Sequence, residues 1–263
     1  MANTSVEASL LEQLQDEIRR RLSPHRHTAL LAAIIAAFLV RPLIGDSGAG
    51  PPLFSIAMFL LLLLALYNID VDELIGERET LLAQKRRRRV IGWALGVSAI
   101  AARLWVTLAP SRSFYLADSV IWLLLFGFIT WNELRAVLKQ KEVTREVISM
   151  SISTYLLFGL TFGLFYIVLH DLQPNAFSFG TGGPASEQQT IPVLIYFSLT
   201  TLSTIGFGDI TPVTLQARYA AVAEGITGQF YLAILVARLV GMQMSQSASP
   251  QAEPKTHASD TNA

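Results

Sequence analysis

Long apolar stretches alternate with short polar ones along this chain. Six of them, at about 28–44, 53–69, 90–109, 117–138, 147–169 and 216–240, approach or exceed the length of a membrane span. Runs near ~20 apolar residues cross a bilayer as helices. The first two are at the short end and are expected to tilt little or to use flanking polar residues as anchors. Between them GDSGAGPP is turn chemistry, and Pro110 ends the third stretch. A shorter segment, 191–201, cannot span. It reads as a re-entrant helix with Thr190 as N-cap and Pro192 in its first turn. Residues 170–190 hold no basic residue and much Gly, Pro and Ser, and read as an exposed loop. At the start, Val6, Leu10, Leu14 and Ile18 fall four apart, and Arg19, Arg20 and Arg21 suit a helix end. That amphipathic segment is compatible with a membrane-surface helix, a contact with a neighbouring subunit, or a partly ordered tail. The fold expected is an all-α membrane protein with six transmembrane helices. Its units are 1–27, an amphipathic segment; 28–146, a four-helix membrane domain; 147–241, a second membrane unit; and 242–263, a polar tail expected to be disordered.

Composition agrees with this pattern. The 263 residues are 52% hydrophobic and 15% charged, with mean hydropathy +0.44, too apolar for an ordinary soluble domain. Zero net charge argues against nucleic acid as a partner. The absence of cysteine removes disulfides, thiolate metal sites and a Cys nucleophile. Of four histidines only His25 and His27 lie close together, and no phosphate loop, Ser-His-Asp grouping or H-E-x-x-H pattern occurs, so no enzyme activity and no cofactor is expected. The basic residues orient the chain. With the amino terminus in the cytoplasm, sixteen of the twenty Lys and Arg fall inside and three outside (Arg41, Arg112, Arg218), while Arg103 lies within a span. This positive-inside bias puts both termini in the cytoplasm and the loop before the last span outside. A cleaved signal peptide is not expected, and a prokaryotic inner membrane is the expected location.

That outer loop carries the chemistry. It reads LTTLSTIGFGDITP, and Thr204-Ile205-Gly206-Phe207-Gly208-Asp209 is its centre. A cation shedding its water needs oxygens in its place, and rings of backbone carbonyls supply them. To aim successive carbonyls one way, the backbone must leave ordinary angles, and Gly206 and Gly208 take positive φ at no steric cost. Thr204 adds a hydroxyl at the inner end. Irregular backbone at membrane depth is allowed only where it is buried in protein or lines water.

The T-I-G-F-G-D run between two hydrophobic helices resembles the selectivity filter of potassium channels, in particular prokaryotic channels with one pore loop per subunit. The resemblance covers about residues 147–241, which it makes a pore domain. It implies a homotetramer around one pore, with K+ held at Thr204, Ile205, Gly206 and Phe207, and Gly208 completing the filter. The 191–201 helix becomes a pore helix, its negative carboxyl end facing a central cation. Aligned on the motif, Tyr196 and Phe197 fall where many relatives carry paired tryptophans that brace the filter. Thr200 falls where some carry a glutamate paired with the motif's aspartate, so Asp209 is expected to lack that partner, and Phe207 lacks the usual tyrosine hydroxyl. Gly225 matches the hinge glycine of the inner helix. Gly225, Gln229, Ala233, Ala237 and Gly241 form a stripe four apart, which suits either close helix packing or the wall of a water-filled path. Glu224, an acid inside a span, either faces the cavity or braces the filter from behind, toward the pore helix and Thr200 or Thr201. The alignment favours bracing.

The implied function is passive, potassium-selective conduction. The alternatives are a non-selective cation channel of the same architecture, a potassium transporter subunit, or a regulatory membrane protein with a silent pore. Transporter subunits often carry four degenerate loops with a single filter glycine; this chain has one loop with both. Six spans also resemble the layout of voltage-gated channels, but 117–138 contains one basic residue, Arg135, near its inner end. Arg103 either snorkels outward or pairs with Asp118. Arg86, Arg87, Arg88 and Arg89, with Lys85, form a basic run suited to anionic lipid headgroups. Each charge moved through the field is worth about 2.3 kcal/mol per 100 mV, so steep voltage sensing needs several. The expected conductance–voltage relation in a divalent-free bilayer is therefore shallow; a steep curve carrying several gating charges would contradict this reading.

Overall fold

The computed structural model of the chain describes residues 26–44, 50–75, 82–108, 111–140, 142–180 and 187–248. The amphipathic pattern at 5–22 and the last residues of the polar tail lie outside them. The helices are α1 (Arg26–Ile44), α2 (Gly50–Ile75), α3 (Leu82–Leu108), α4 (Arg112–Lys139), α5 (Arg145–Leu172), α6 (Glu187–Leu202) and α7 (Leu215–Ala248). Two short strands, β1 (Phe177–Phe179) and β2 (Ile210–Pro212), flank α6. Among the described residues, α3, α4, α5 and α7 are long and apolar enough to cross a membrane. α1 and α2 contribute the shorter apolar stretches His27–Leu39 and Ile56–Asn68.

Local chemistry sets several ends. Ser111 caps α4 by accepting from the Phe114 amide, and Thr144 caps α5 by accepting from the Val147 amide. Three elements differ from the sequence reading. α6 begins at Glu187, so Thr190 lies inside the helix and not at its cap, and Pro192 is interior. Gln188 and Gln189 are adequate helix formers, and Pro192 removes one i→i−4 hydrogen bond, that to the Gln188 carbonyl. α7 continues to Ala248, so the first part of the tail expected to be disordered is helical. The loop after α5 is not wholly irregular. Phe177, Ser178 and Phe179 pair antiparallel with Pro212, Thr211 and Ile210.

The first four helices pack on α5. α4 lies along α5, α1 contacts both α2 and α5, and α3 lies against α4. The seam is built from helical stripes: Leu30, Ile34 and Ala37 on α1; Trp122, Leu125, Phe126 and Ile129 on α4. With Leu157 and Leu160 of α5 and Ile195 of α6 they form one buried cluster. A second cluster forms where Tyr166, Phe177, Leu194, Phe197 and Ile210 meet. Polar pairs pin the seam at both ends. Arg103 pairs with Asp118 at 3.1 Å and lies 5.9 Å from the Trp122 ring, whose Nε1 donates to Asp118. Pairing, the second of the two sequence readings of Arg103, is therefore what the fold contains. At the other end Arg238 of α7 donates to the carbonyls of Val137, Leu138 and Gln140. These carbonyls lie at the carboxyl end of α4, where acceptors lack partners within the helix; that of Val137 also accepts from the Gln140 amide.

Three glycines let α6 sit close to its neighbours. A Cβ on Gly163 would lie 3.0 Å from the Ile195 Cα, and one on Gly228 would lie 2.5 Å from the Leu202 carbonyl oxygen. One on Gly159 would meet only the movable end of Leu199, at 2.6 Å. At Gly225 the nearest atom, the Thr201 carbonyl oxygen, is 3.9 Å away. Gly228→Ala and Gly163→Ala press on backbone and should each cost about 1–3 kcal/mol. Gly159→Ala and Gly225→Ala should cost clearly less. Thermal unfolding of the four purified variants checks this ranking, and a Gly225→Ala loss equal to that of Gly228→Ala would refute it.

Candidate functional site

The site hangs from the carboxyl end of α6. The Thr200 carbonyl accepts from the amides of Ile205 (2.9 Å) and Gly206 (3.1 Å), and the Thr201 carbonyl accepts from the Thr204 amide (3.0 Å). The last carbonyls of a helix have no partner within it. Here they hold the first residues of the 204–209 segment, so the helix end becomes the anchor of an otherwise irregular strand.

The backbone then alternates in hand. Gly206 has φ 54° and Gly208 φ 79°, as the glycine spacing predicts. Thr204 also takes a left-handed φ, 59°, the sole non-glycine residue to do so among the described residues. Left-handed backbone at a β-branched residue is strained and persists only where its surroundings impose it. The paired amides at 204, 205 and 206 impose it here. Left-handed residues at every second position turn successive peptide planes to one side, the arrangement a carbonyl ladder requires. Residues 204–209 are exposed in the single chain, and nothing lies within 4 Å of where Cβ atoms on Gly206 or Gly208 would be.

The far end of the segment is strapped. The Gly180 amide donates to the Asp209 carbonyl at 2.9 Å, beside the β1–β2 pair, and the Val213 amide donates to the Ala176 carbonyl at 2.8 Å. Sequence reasoning missed this strap; the alternation A-F-S-F at 176–179 was its only signal. Behind the segment, Tyr196 does two things. Its ring stacks on Phe207, at 6.3 Å and 5° between planes, and its hydroxyl bonds the Asp209 carboxylate. Asp209 therefore has a partner, but from position 196 and not from Thr200. The Thr200 hydroxyl turns back to the Phe197 carbonyl (2.9 Å), as does that of Thr201 (2.8 Å). Phe197 is buried, edge-on to Tyr166 and Phe177.

Glu224 is fully buried. It does not reach Thr200 or Thr201. Its carboxylate accepts from the Tyr166 hydroxyl at 2.5 Å and from the Ser198 hydroxyl, which also contacts the Gly159 carbonyl at 2.6 Å. One acid on α7 thus ties α5 to α6 directly behind the filter-like segment. Neither Tyr166 nor Ser198 was legible as a site residue, because nothing in a linear pattern aligns residues 58 and 26 positions away from Glu224. Below, the Tyr155 hydroxyl donates to the Leu202 carbonyl (3.1 Å) and the Tyr231 hydroxyl to the Ser151 carbonyl (2.8 Å). On α7, Gln229, Ala233, Ala237 and Gly241 are exposed and Gly225 half-buried. α7 runs unbroken through Gly225, and the glycine in closest contact with α6 is Gly228.

Comparison with known proteins agrees with this geometry. A family model described as an ion channel matches residues 152–244. The potassium channel protein kcv of Paramecium bursaria Chlorella virus 1 is 33% identical over 72 residues, covering 27% of this chain and 76% of that protein. Protein LctB of Bacillus caldotenax is 29% identical over 120 residues, 44% of this chain and 87% of the relative. Protein LctB of Geobacillus stearothermophilus is 28% identical over 125 residues, 46% and 90% respectively. No solved structure matches at a significant level. All of these matches are shorter than this chain, and the family match contains α6, the 204–209 segment and most of α5 and α7. The chain belongs to the potassium channel superfamily.

Proposed function

We propose that this chain is one subunit of a homotetrameric, potassium-selective channel that conducts K+ passively through the backbone oxygens of Thr204, Ile205, Gly206 and Phe207. The observation that carries this reading is the alternating left-handed backbone at 204, 206 and 208, hung from the carboxyl end of α6. One chain supplies one strand of such a ladder, and a closed ring of carbonyls needs four. The exposed face of residues 204–209 is then the pore surface, with Gly208 and Asp209 toward the outer mouth. Gln229, Ala233 and Ala237 lie below, on the inner helix. Both termini face the cytoplasm, consistent with the basic residues, and Arg86–Arg89 at the start of α3 sit at the level of inner-leaflet headgroups.

In this reading Tyr196 and Glu224 replace the missing Thr200–Asp209 tie. Tyr196 holds the outer end of the filter through Asp209 and Phe207; Glu224 holds the pore helix through Ser198 and the outer helix through Tyr166. A buried hydroxyl left without its acceptor costs about 1–3 kcal/mol, so this brace is worth keeping intact. The strap between Gly180 and Asp209 limits how far the outer end of the filter can move.

Purified protein in liposomes should carry K+ and leave a reversal potential near the K+ equilibrium potential under a K+/Na+ gradient; a reversal near zero identifies a non-selective pore, and no flux from a tetramer refutes conduction. Glu224→Leu removes both acceptors and should shorten openings and lower the unfolding temperature, with Glu224→Gln intermediate because it keeps one acceptor. Single-channel recording decides the point: a Gln variant with unchanged conductance and open probability leaves Glu224 no bracing role.

A further inference from the structure

The seam between the four-helix unit and the pore holds a second polar site that conduction does not use. His27, in the first turn of α1, lies 3.8 Å from Glu133 of α4 (Nδ1 to Oε2), and both side chains are almost fully buried, at 2% and 3% exposure. The Thr28 hydroxyl meets that of Ser149 at 3.4 Å, which seats the start of α1 on the first turn of α5. An imidazole changes charge near pH 6.5, within the ordinary range of a cell. A charged ring is attracted by the buried carboxylate facing it, and a neutral ring is not. The docking of α1 onto α4 and α5 therefore carries a proton-dependent contact.

Glu133 lies one helical turn before Val137, and Val137, Leu138 and Gln140 are the residues whose carbonyls Arg238 of the inner helix holds. The same face of α4 so joins the ion pair to the lower part of α7. Tyr231 also ties α7 to α5, donating to the Ser151 carbonyl and stacking on Tyr155 at 6.1 Å. We propose that His27 and Glu133 form a cytoplasmic proton-binding site whose occupancy is passed through the end of α4 and Arg238 to the inner helix, making channel opening depend on cytoplasmic pH. This rests on the conduction reading and on the cytoplasmic placement of this end of the helices.

Other charged and titratable groups share this end. α5 presents Arg145 and Glu146, the inner helix Tyr231 and Arg238, and α3 the half-buried Arg88 and Arg89. α4 presents Arg135, which is turned over the Trp131 ring at 4.7 Å. α2 contributes the buried, non-titrating Asn68. Of the groups named, only His27 has an ordinary titration range between pH 6 and 8.

The test uses the full-length tetramer and two readouts. In inside-out patches from reconstituted liposomes, open probability of the native protein should change by at least about threefold between cytoplasmic pH 6 and 8, and extracellular pH at fixed cytoplasmic pH should not reproduce it. His27→Gln and Glu133→Gln should each abolish the response, and His25→Gln should keep it. In detergent, the unfolding temperature of the native protein should fall from pH 6 to pH 8, and His27→Gln should flatten that slope. Arg238→Gln should keep the thermal slope and lose the effect on opening. A pH response retained in His27→Gln, or lost in His25→Gln, overturns the site; an opening response retained in Arg238→Gln overturns the route. The thermal readout needs no current, so it separates failure of this site from failure of the conduction reading.

Discussion

A backbone that leaves helical geometry inside a membrane must find every hydrogen bond elsewhere, and this constraint shapes the pore unit. The 204–209 segment solves it with the free carbonyls of α6: Thr200 and Thr201 accept three amides between them, and Asp209 is held from the far side by Gly180. Among the described residues no backbone amide donates to the carbonyls of residues 204–208. That division, amides of 204–206 held and carbonyls available, suits the proposed role of the strand.

Keeping α6 in place is therefore the task of everything around it. Gly163 and Gly228 admit it to within backbone contact of α5 and α7. Phe197 and Leu194 lock its outer half into the aromatic cluster around Tyr166. Glu224 adds the polar tie, spanning three helices from one carboxylate. In a low-dielectric surrounding such a network is stiff when every member is satisfied and costly when one is lost. The strain at Thr204 is sustained by this rigidity.

The first four helices are continuous with the pore in packing. Buried residues of α1, α2 and α4 merge with those of α5 and reach Ile195 of α6 in a single cluster. The two ends of the α4–α5 seam are pinned by charges on neighbouring helices, Arg103 on Asp118 at one and Arg238 on the α4 carbonyls at the other. A domain whose fourth apolar stretch, 117–138, holds one basic residue still has a mechanical hold on α7 through Arg238.

Much of this was legible in the residues themselves. Apolar run length marks the helices, and T-I-G-F-G-D requires glycine where the backbone must turn left-handed, because those properties depend on a residue and its sequence neighbours alone. The boundaries of α6 and α7 and the short β1–β2 strap were not, since helix ends and brief pairings depend on what lies alongside. Nor were the partners of the buried polar groups. The acid at 224 announced itself by standing in a span, but Ser198 and Tyr166 became its partners only when α5 and α6 were brought against α7. Likewise Asp209 met Tyr196, and Arg103 met Asp118, because packing chose among several chemically equivalent partners. Sequence determined which groups needed satisfaction in the membrane; tertiary structure alone decided which group satisfied which, because a hydrogen bond is set by distance and angle and not by separation along the chain.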